Sequence, residues 1–212
     1  MTGVSQGGLR SYGGESAADR DQRRRRQLVD AGLRVFGTSG YRAATVRGLC
    51  REARVADRYF YQYFDGIEDL LLAVYGECME RLTTTTVEAV AGLDVDTDVA
   101  IVAERGLDAF FSVVEDPHLA RVVWLEVLGV SARVEQTYLS AMKQFGALML
   151  DYLRGVGADL SPHDGIDVEL LVTAAVGGIS HIALTWFLGG YATERPVVVA
   201  TTTHFLATRA PL

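Results

Sequence analysis

Proline is scarce in this chain, with 4 residues in 212. Cysteine is scarcer: Cys50 and Cys78 stand alone and far apart. That spacing excludes a disulfide framework and a metal-ligand pair. Thiols in helical patterns behave as small buried apolar residues, and a reducing cytoplasm is the compartment such usage fits. The N-terminus lacks a continuous apolar stretch, so no signal peptide is read there. Charged residues make up only 22% against 49% hydrophobic, which argues against disorder along most of the chain. Catalytic patterns are missing too. His118, His163, His181 and His204 are scattered, no Ser or Cys sits in a nucleophile motif, and no glycine-rich loop follows a strand. The sequence therefore predicts no enzyme, no metal site and no cofactor. Strand patterns are absent as well, with Val197 to Val199 the one β-branched ambiguity. The expected fold class is all-α.

What is present is unevenly distributed. Residues 1–65 carry 12 Arg and no Lys against 7 acidic residues, a balance of +5, while residues 66–212 hold 8 basic and 20 acidic residues, a balance of -12. A basic head on an acidic body fits a chain that meets a polyanion at one end. From Leu170 to Tyr191 there are no charges over 22 residues, about the length of a bilayer span. Against a span, the stretch holds Thr173, Ser180, His181 and Thr185, with Gly177–Gly178 near its middle, and no basic cluster flanks it. A helix apolar all round is also one buried in an assembly. The expectation is an interface helix and no membrane.

Residues 1–22 are rich in Gly, Ser, Gln and charge and predict a flexible tail. Apolar periodicity then predicts helices over about 23–38, 45–53, 57–64 and 67–93. Gly40 suits a left-handed turn, Thr45 an N-cap, and Asp57 the N-terminus of the third helix. Further helices are expected over about 99–114, from Pro117 through Leu128, over about 133–156, 166–188 and 196–208. The division is a tail (1–22), a helix-turn-helix head (23–66) and a helical body (67–212), which the resemblance described below implies are a DNA-binding domain and an effector-binding and dimerisation domain.

Helix, turn, short helix, turn, short aromatic helix is the layout of a DNA reader. In the third helix Phe60 and Phe64 are four apart and should face the core. Arg58, Tyr59, Gln62 and Tyr63 then project outward, with Tyr61 at the margin. Gln62 can pair with adenine edges, and Arg58 with guanine or phosphate. The tyrosines would equally serve as packing aromatics, and Arg47 and Arg58 as solvated charges. The run Arg23–Arg26 reads as a soluble helix start or a sequence-blind phosphate contact.

The segments Ala31–Phe36, Gly40–Tyr41, Ala44–Arg47, Tyr59–Phe64 and Glu68–Leu71 together resemble the DNA-binding region of the TetR family of bacterial transcriptional regulators. The specific similarity covers about Gln27 to Val74; the remainder is similar in helical layout and length. The resemblance implies that Tyr61 and Tyr63 hold phosphates and that Thr45 and Arg47 meet the backbone. It implies a double-stranded operator, a homodimer through the last two helices (about 166–208), and a repressor released from a palindromic site by a small, mostly apolar effector. Departures from the family pattern are Arg54, where Gly is frequent, Arg58 for a small residue, Ile67 for a frequent Lys, and the added charge of Asp57. Phe110, Trp124, Tyr138, Met142, Phe145, Met149 and His181 are the candidate pocket, with plain core packing as the alternative for each.

Overall fold

The structure, a computed structural model, describes residues 16–94, 97–155 and 167–207. Among the described residues there are nine α-helices, one 3-10 turn and no strand. The all-α expectation holds.

The first helix, α1 (Ala17–Thr38), begins at Ala17 rather than Arg23. Its start is set by a capping box. The Ser16 hydroxyl accepts from the Asp19 N–H at 3.1 Å, and the Asp19 carboxylate accepts from the Ser16 N–H at 3.2 Å. The expected flexible tail of 1–22 is therefore corrected over its last residues; residues 1–15 lie outside those described. Leu28, Val29, Ala31 and Phe36 form the buried face of α1. A 3-10 turn at Tyr41–Ala43 leads to α2 (Val46–Ala53) and α3 (Asp57–Tyr63). Gly40 adopts a φ of 85°, as a glycine-favouring turn requires.

The body follows as α4 (Ile67–Val90), α5 (Val99–Val114), α6 (Pro117–Trp124), α7 (Ala132–Gly155), α8 (Val168–Leu188) and α9 (Arg195–Ala207). Asp116 caps α6, accepting from the His118 and Leu119 N–H groups at 3.1 and 3.4 Å, with Pro117 in the first turn. That helix stops at Trp124. Leu125 and Leu128, expected within it, follow it and are exposed. The β-branched run at Val197 is helical, and Val198 and Val199 are buried. Residues 95–96, 156–166 (His163 among them) and 208–212 lie outside the described residues.

One apolar core runs through both ends of the chain. Near its start α4 packs on α1: a Cβ at Gly32 would fall 2.7 Å from Val74 and 3.3 Å from Leu70. Farther along, α4 lies on α5, with Val90 and Thr86 flanking Gly106. The second seam joins α1 to α6. A Cβ at Gly37 would fall 2.5 Å from the Cα of His118, so only glycine permits this approach. Beside it, the Glu126 carboxylate, 11% exposed, accepts from the Tyr41 backbone N–H at 2.6 Å and from Arg121 Nε at 2.7 Å. At the start of α7, Arg133 sits 2.6 Å from Asp69. Its hydrogen bond, joined by one from the Asp65 N–H, holds the Asp69 carboxyl below its usual range.

Both thiols are buried. Burial pushes Cys50 from 9.0 to about 11 and Cys78 to about 12. Both therefore stay neutral at physiological pH.

Three outcomes follow from this packing. Gly37→Ala should destabilise the fold by roughly 1–3 kcal/mol, because the methyl meets backbone that must shift; a urea titration followed by circular dichroism reads it. The native thiols should react slowly with a disulfide reagent at pH 8 and quickly in urea. A thiol with a raised folded value contributes its full stability below 9.0 and loses it as pH climbs toward the folded value. The urea midpoint should accordingly fall as pH rises above about 9 and be insensitive to these groups at pH 6–8.

Candidate DNA interface and effector cavity

The head is built around an amphipathic α3. With seven residues it cannot stand as an isolated helix. Phe60 and Phe64 anchor it, at 0% and 4% exposure, with ring centroids 5.7 Å apart. Both were expected to face the core. The opposite face carries Arg58 and Gln62, both exposed. Tyr61 was expected at the margin; it stands 64% exposed, the most outward of the tyrosines on α3.

Tyr59 and Tyr63 are half-buried, for a reason the sequence did not suggest. The early turns of α1 reach across to α3. The Tyr63 hydroxyl donates to Asp21 at 3.0 Å. The Arg24 guanidinium lies 4.2 Å from the centre of the Tyr59 ring and pairs with Asp21 at 3.1 Å. Arg58 donates to the Tyr59 hydroxyl at 3.0 Å. That hydrogen bond, with the charges of Arg58 and Arg24, holds the Tyr59 phenol below its ordinary value. Burial and the bond to Asp21 push Tyr63 upward. Within the run Arg23–Arg26, Arg24 and Arg25 thus lie on aromatic faces, Arg25 at 5.5 Å from Phe64.

At the start of α2, Thr45 caps the helix: its hydroxyl oxygen accepts from the Gly48 N–H at 3.1 Å and leaves its own O–H to donate outward. Arg47, two residues on, is exposed. Between α2 and α3, Arg54 occupies the left-handed region, with φ 56° and ψ 37°. A side chain there costs about 1 kcal/mol relative to glycine. Arg54 borders an open hollow of about 320 Å³, with Arg23, Arg24, Gln27 and Tyr59 around it. Four guanidiniums (Arg23, Arg24, Arg54 and Arg58) and three hydroxyl-bearing rings therefore belong to one exposed basic end. Such a surface suits phosphate contacts, Tyr61 among them, and the outward Gln62 suits a base contact.

In the body, the structure brings Phe110, Trp124, Met142 and Phe145 together around one apolar cavity. Phe110 sits 6.5 Å from Trp124 and 5.9 Å from Phe145. Met79, Leu82, Val123, Val176, Ile179 and Ser180 complete the lining and were missed by sequence reasoning. The free volume is only about 10 Å³, room for about one water, so a larger occupant requires side chains to move. Three expected lining residues do not reach it. Tyr138 and Met149 pack against the core from neighbouring turns of α7. His181 is exposed, because Val172, Val176, Ile179, Ala183 and Trp186 set the buried face of α8 and leave position 181 on the far side. Glu126, which ties this region to the head, carried no signal in the sequence.

Residues 28–74 match the profile of the bacterial regulatory proteins of the tetR family. The fatty acid metabolism regulator protein of Bacillus subtilis (strain 168) is 26% identical over 167 residues, covering 76% of this chain and 82% of that protein. Among solved structures, the fatty acid degradation regulator FadR from Bacillus halodurans superposes with a TM-score of 0.75 at 21% identity, covering 89% of this chain and 96% of that one. FadR from Bacillus subtilis, solved in complex with stearoyl-CoA, gives a TM-score of 0.70 at 21% identity over 86% and 97% of the two chains. With the helix-turn-helix geometry above, these matches carry one conclusion: residues 28–74 are a DNA-binding region of the tetR family of bacterial regulatory proteins, on a chain that shares the fold of its fatty acid regulators.

Proposed function

We propose that this regulator works in the cytoplasm as a homodimeric repressor. Its head, residues 23–66, reads a palindromic double-stranded operator. Its body, residues 67–212, binds a small, mostly apolar effector that releases the DNA. The observation that carries this reading is the outward Tyr61–Gln62 edge of α3, held on a basic end by Phe60, Phe64 and the early turns of α1. Thr45 and Arg47 flank it as backbone contacts, with Arg58, Tyr59 and Tyr63 beside the groove edge. The pairing surface is the outer face of α8 and α9. Leu170, Leu171, Leu188, Val197 and Phe205 are all more than half exposed there, from 53% to 66%. Two-fold pairing places two reading helices on one side of a duplex and matches half-site symmetry.

The cavity lining supports an apolar effector, and the relative crystallised with stearoyl-CoA supports an acyl-type one. α8 is the one described helix long and apolar enough to cross a bilayer. The protein packing on its inner face favours an interface helix instead. No group of three or more His, Cys, Asp or Glu that could hold a metal occurs among the described residues. The non-enzymatic reading rests on the family.

A gel shift against the chain's own upstream DNA tests the proposal; no shift at low salt would overturn it. Gln62→Ala should cost about 1–3 kcal/mol at the matching base and relax specificity there. Tyr61→Ala should weaken all sequences alike and leave the salt slope unchanged, because the lost hydroxyl is neutral. Arg54→Gly separates two roles of one residue. Relief of the left-handed strain should stabilise the fold by about 0.5–1 kcal/mol, while loss of the guanidinium weakens operator binding and flattens its salt dependence.

A further inference from the structure

The cavity between α4, α5, α6, α7 and α8 contains no charged side chain in its lining. It does contain two polar groups with poor partners. Trp124 is 94% buried, and its indole Nε1 meets no acceptor. Ser180 has a thioether as its partner, Met142 Sδ at 3.8 Å. A buried N–H without an acceptor is costly and uncommon, so its retention calls for an explanation. Elsewhere on α8 the chain satisfies the same group in full: Trp186 Nε1 donates to the Thr193 carbonyl at 2.7 Å. Two tryptophans in one core thus have opposite hydrogen-bonding states, and the orphan is the one that lines the cavity.

We infer that Trp124 Nε1 and Ser180 Oγ form the polar recognition point of the effector cavity, and that they take a neutral carbonyl oxygen (of an ester, thioester, ketone or amide) on an otherwise apolar molecule. This rests on the effector reading given above and deepens it. Both groups donate hydrogen bonds, so the complementary group is an acceptor. No cation lines the cavity, so a carboxylate there would be a buried charge without a counterion and is disfavoured. Met79 and Met142 are the flexible lining residues whose displacement opens room for a chain. The site therefore separates an acyl ester from its own free acid, although both carry the same hydrocarbon.

The full-length protein tests this with three probes of similar length: methyl decanoate, decanoate at pH 8, and undec-1-ene. Each is titrated while the thermal midpoint is followed by circular dichroism at 222 nm, which yields relative affinities by linkage. Methyl decanoate should bind at least tenfold more tightly than decanoate. Trp124→Phe should lose roughly tenfold for methyl decanoate and little for undec-1-ene. Ser180→Ala should show the same pattern to a smaller degree, and it carries the test if the tryptophan variant does not fold. Tyr75→Phe is the control: it removes another buried unpartnered hydroxyl, one that does not line the cavity, and should leave all three affinities unchanged. Equal loss for ester and alkene, or decanoate binding as well as its ester, overturns the inference while leaving an apolar cavity intact. Failure of all three probes to bind overturns the inference together with the effector cavity. Operator binding is read separately, so neither result depends on the DNA reading.

Discussion

The seam between α1 and α6 is the constraint on which the rest of the molecule depends. It is close because Gly37 has no side chain, and it is polar at one point because Glu126 is nearly buried there. A carboxylate this enclosed must be hydrogen-bonded to be tolerated. It meets that need by gripping the backbone of the head at Tyr41 while holding Arg121 of its own region. The opposite side of α6 carries Val123 and Trp124 into the cavity wall. One eight-residue helix therefore has the cavity on one flank and the reading head on the other. Packed interiors deform little, so a displacement of α6 by an occupant is felt at Gly37 and Tyr41. Coupling between effector and DNA needs two sites and an element that both bias, and α6 is placed to be that element.

The reading helix shows a second dependence, on a segment that looks dispensable. α3 is too short to persist alone, and its two buried rings fix only one side. Asp21 and Arg24, from the early turns of α1, hold Tyr63 and Tyr59 from the other. Two of the tyrosines are thereby preorganised, which lowers the rotamer entropy lost on meeting a phosphate backbone. Tyr61 receives no contact of this kind from α1 among the described residues; its ring rests edge-on against Phe60 at 5.4 Å.

Much of this was legible from residue types alone, because periodicity reports burial. The spacing of Phe60 and Phe64 gave the buried side of α3, and Thr45 announced the start of α2 through its capping chemistry. Arg54 was noted as an odd residue for a turn that favours glycine, and its left-handed backbone gives that oddness a physical content. The start of α1 was misjudged although Ser16 and Asp19 spell a capping box, since neighbouring glycines suggested a tail. His181 was misplaced because α8 is apolar on every side, so hydrophobicity alone could not say which face turns inward. The bond from Tyr41 to Glu126 spans 85 positions and involves a backbone N–H, for which no side-chain pattern exists.

The same ambiguity in α8 bears on assembly. Its inner face is committed: the Trp186 ring packs edge-on against Phe111 at 5.7 Å and Tyr191 at 4.9 Å, and its N–H is tied to Thr193. Insertion of α8 into a bilayer would expose these partners' charged neighbours, Asp108 and Glu115, which pair with Arg195 beside them. These contacts favour a helix held in the protein. Its outer face, with Leu170, Leu171 and Leu188, is then an exposed apolar surface that water disfavours. Phe205 of α9, lying over Gly178, continues the same surface, with a Cβ at that glycine 3.2 Å from the ring. On the proposed reading a second copy covers this patch, and the two-fold axis so generated would match the symmetry a palindromic operator demands of its reader.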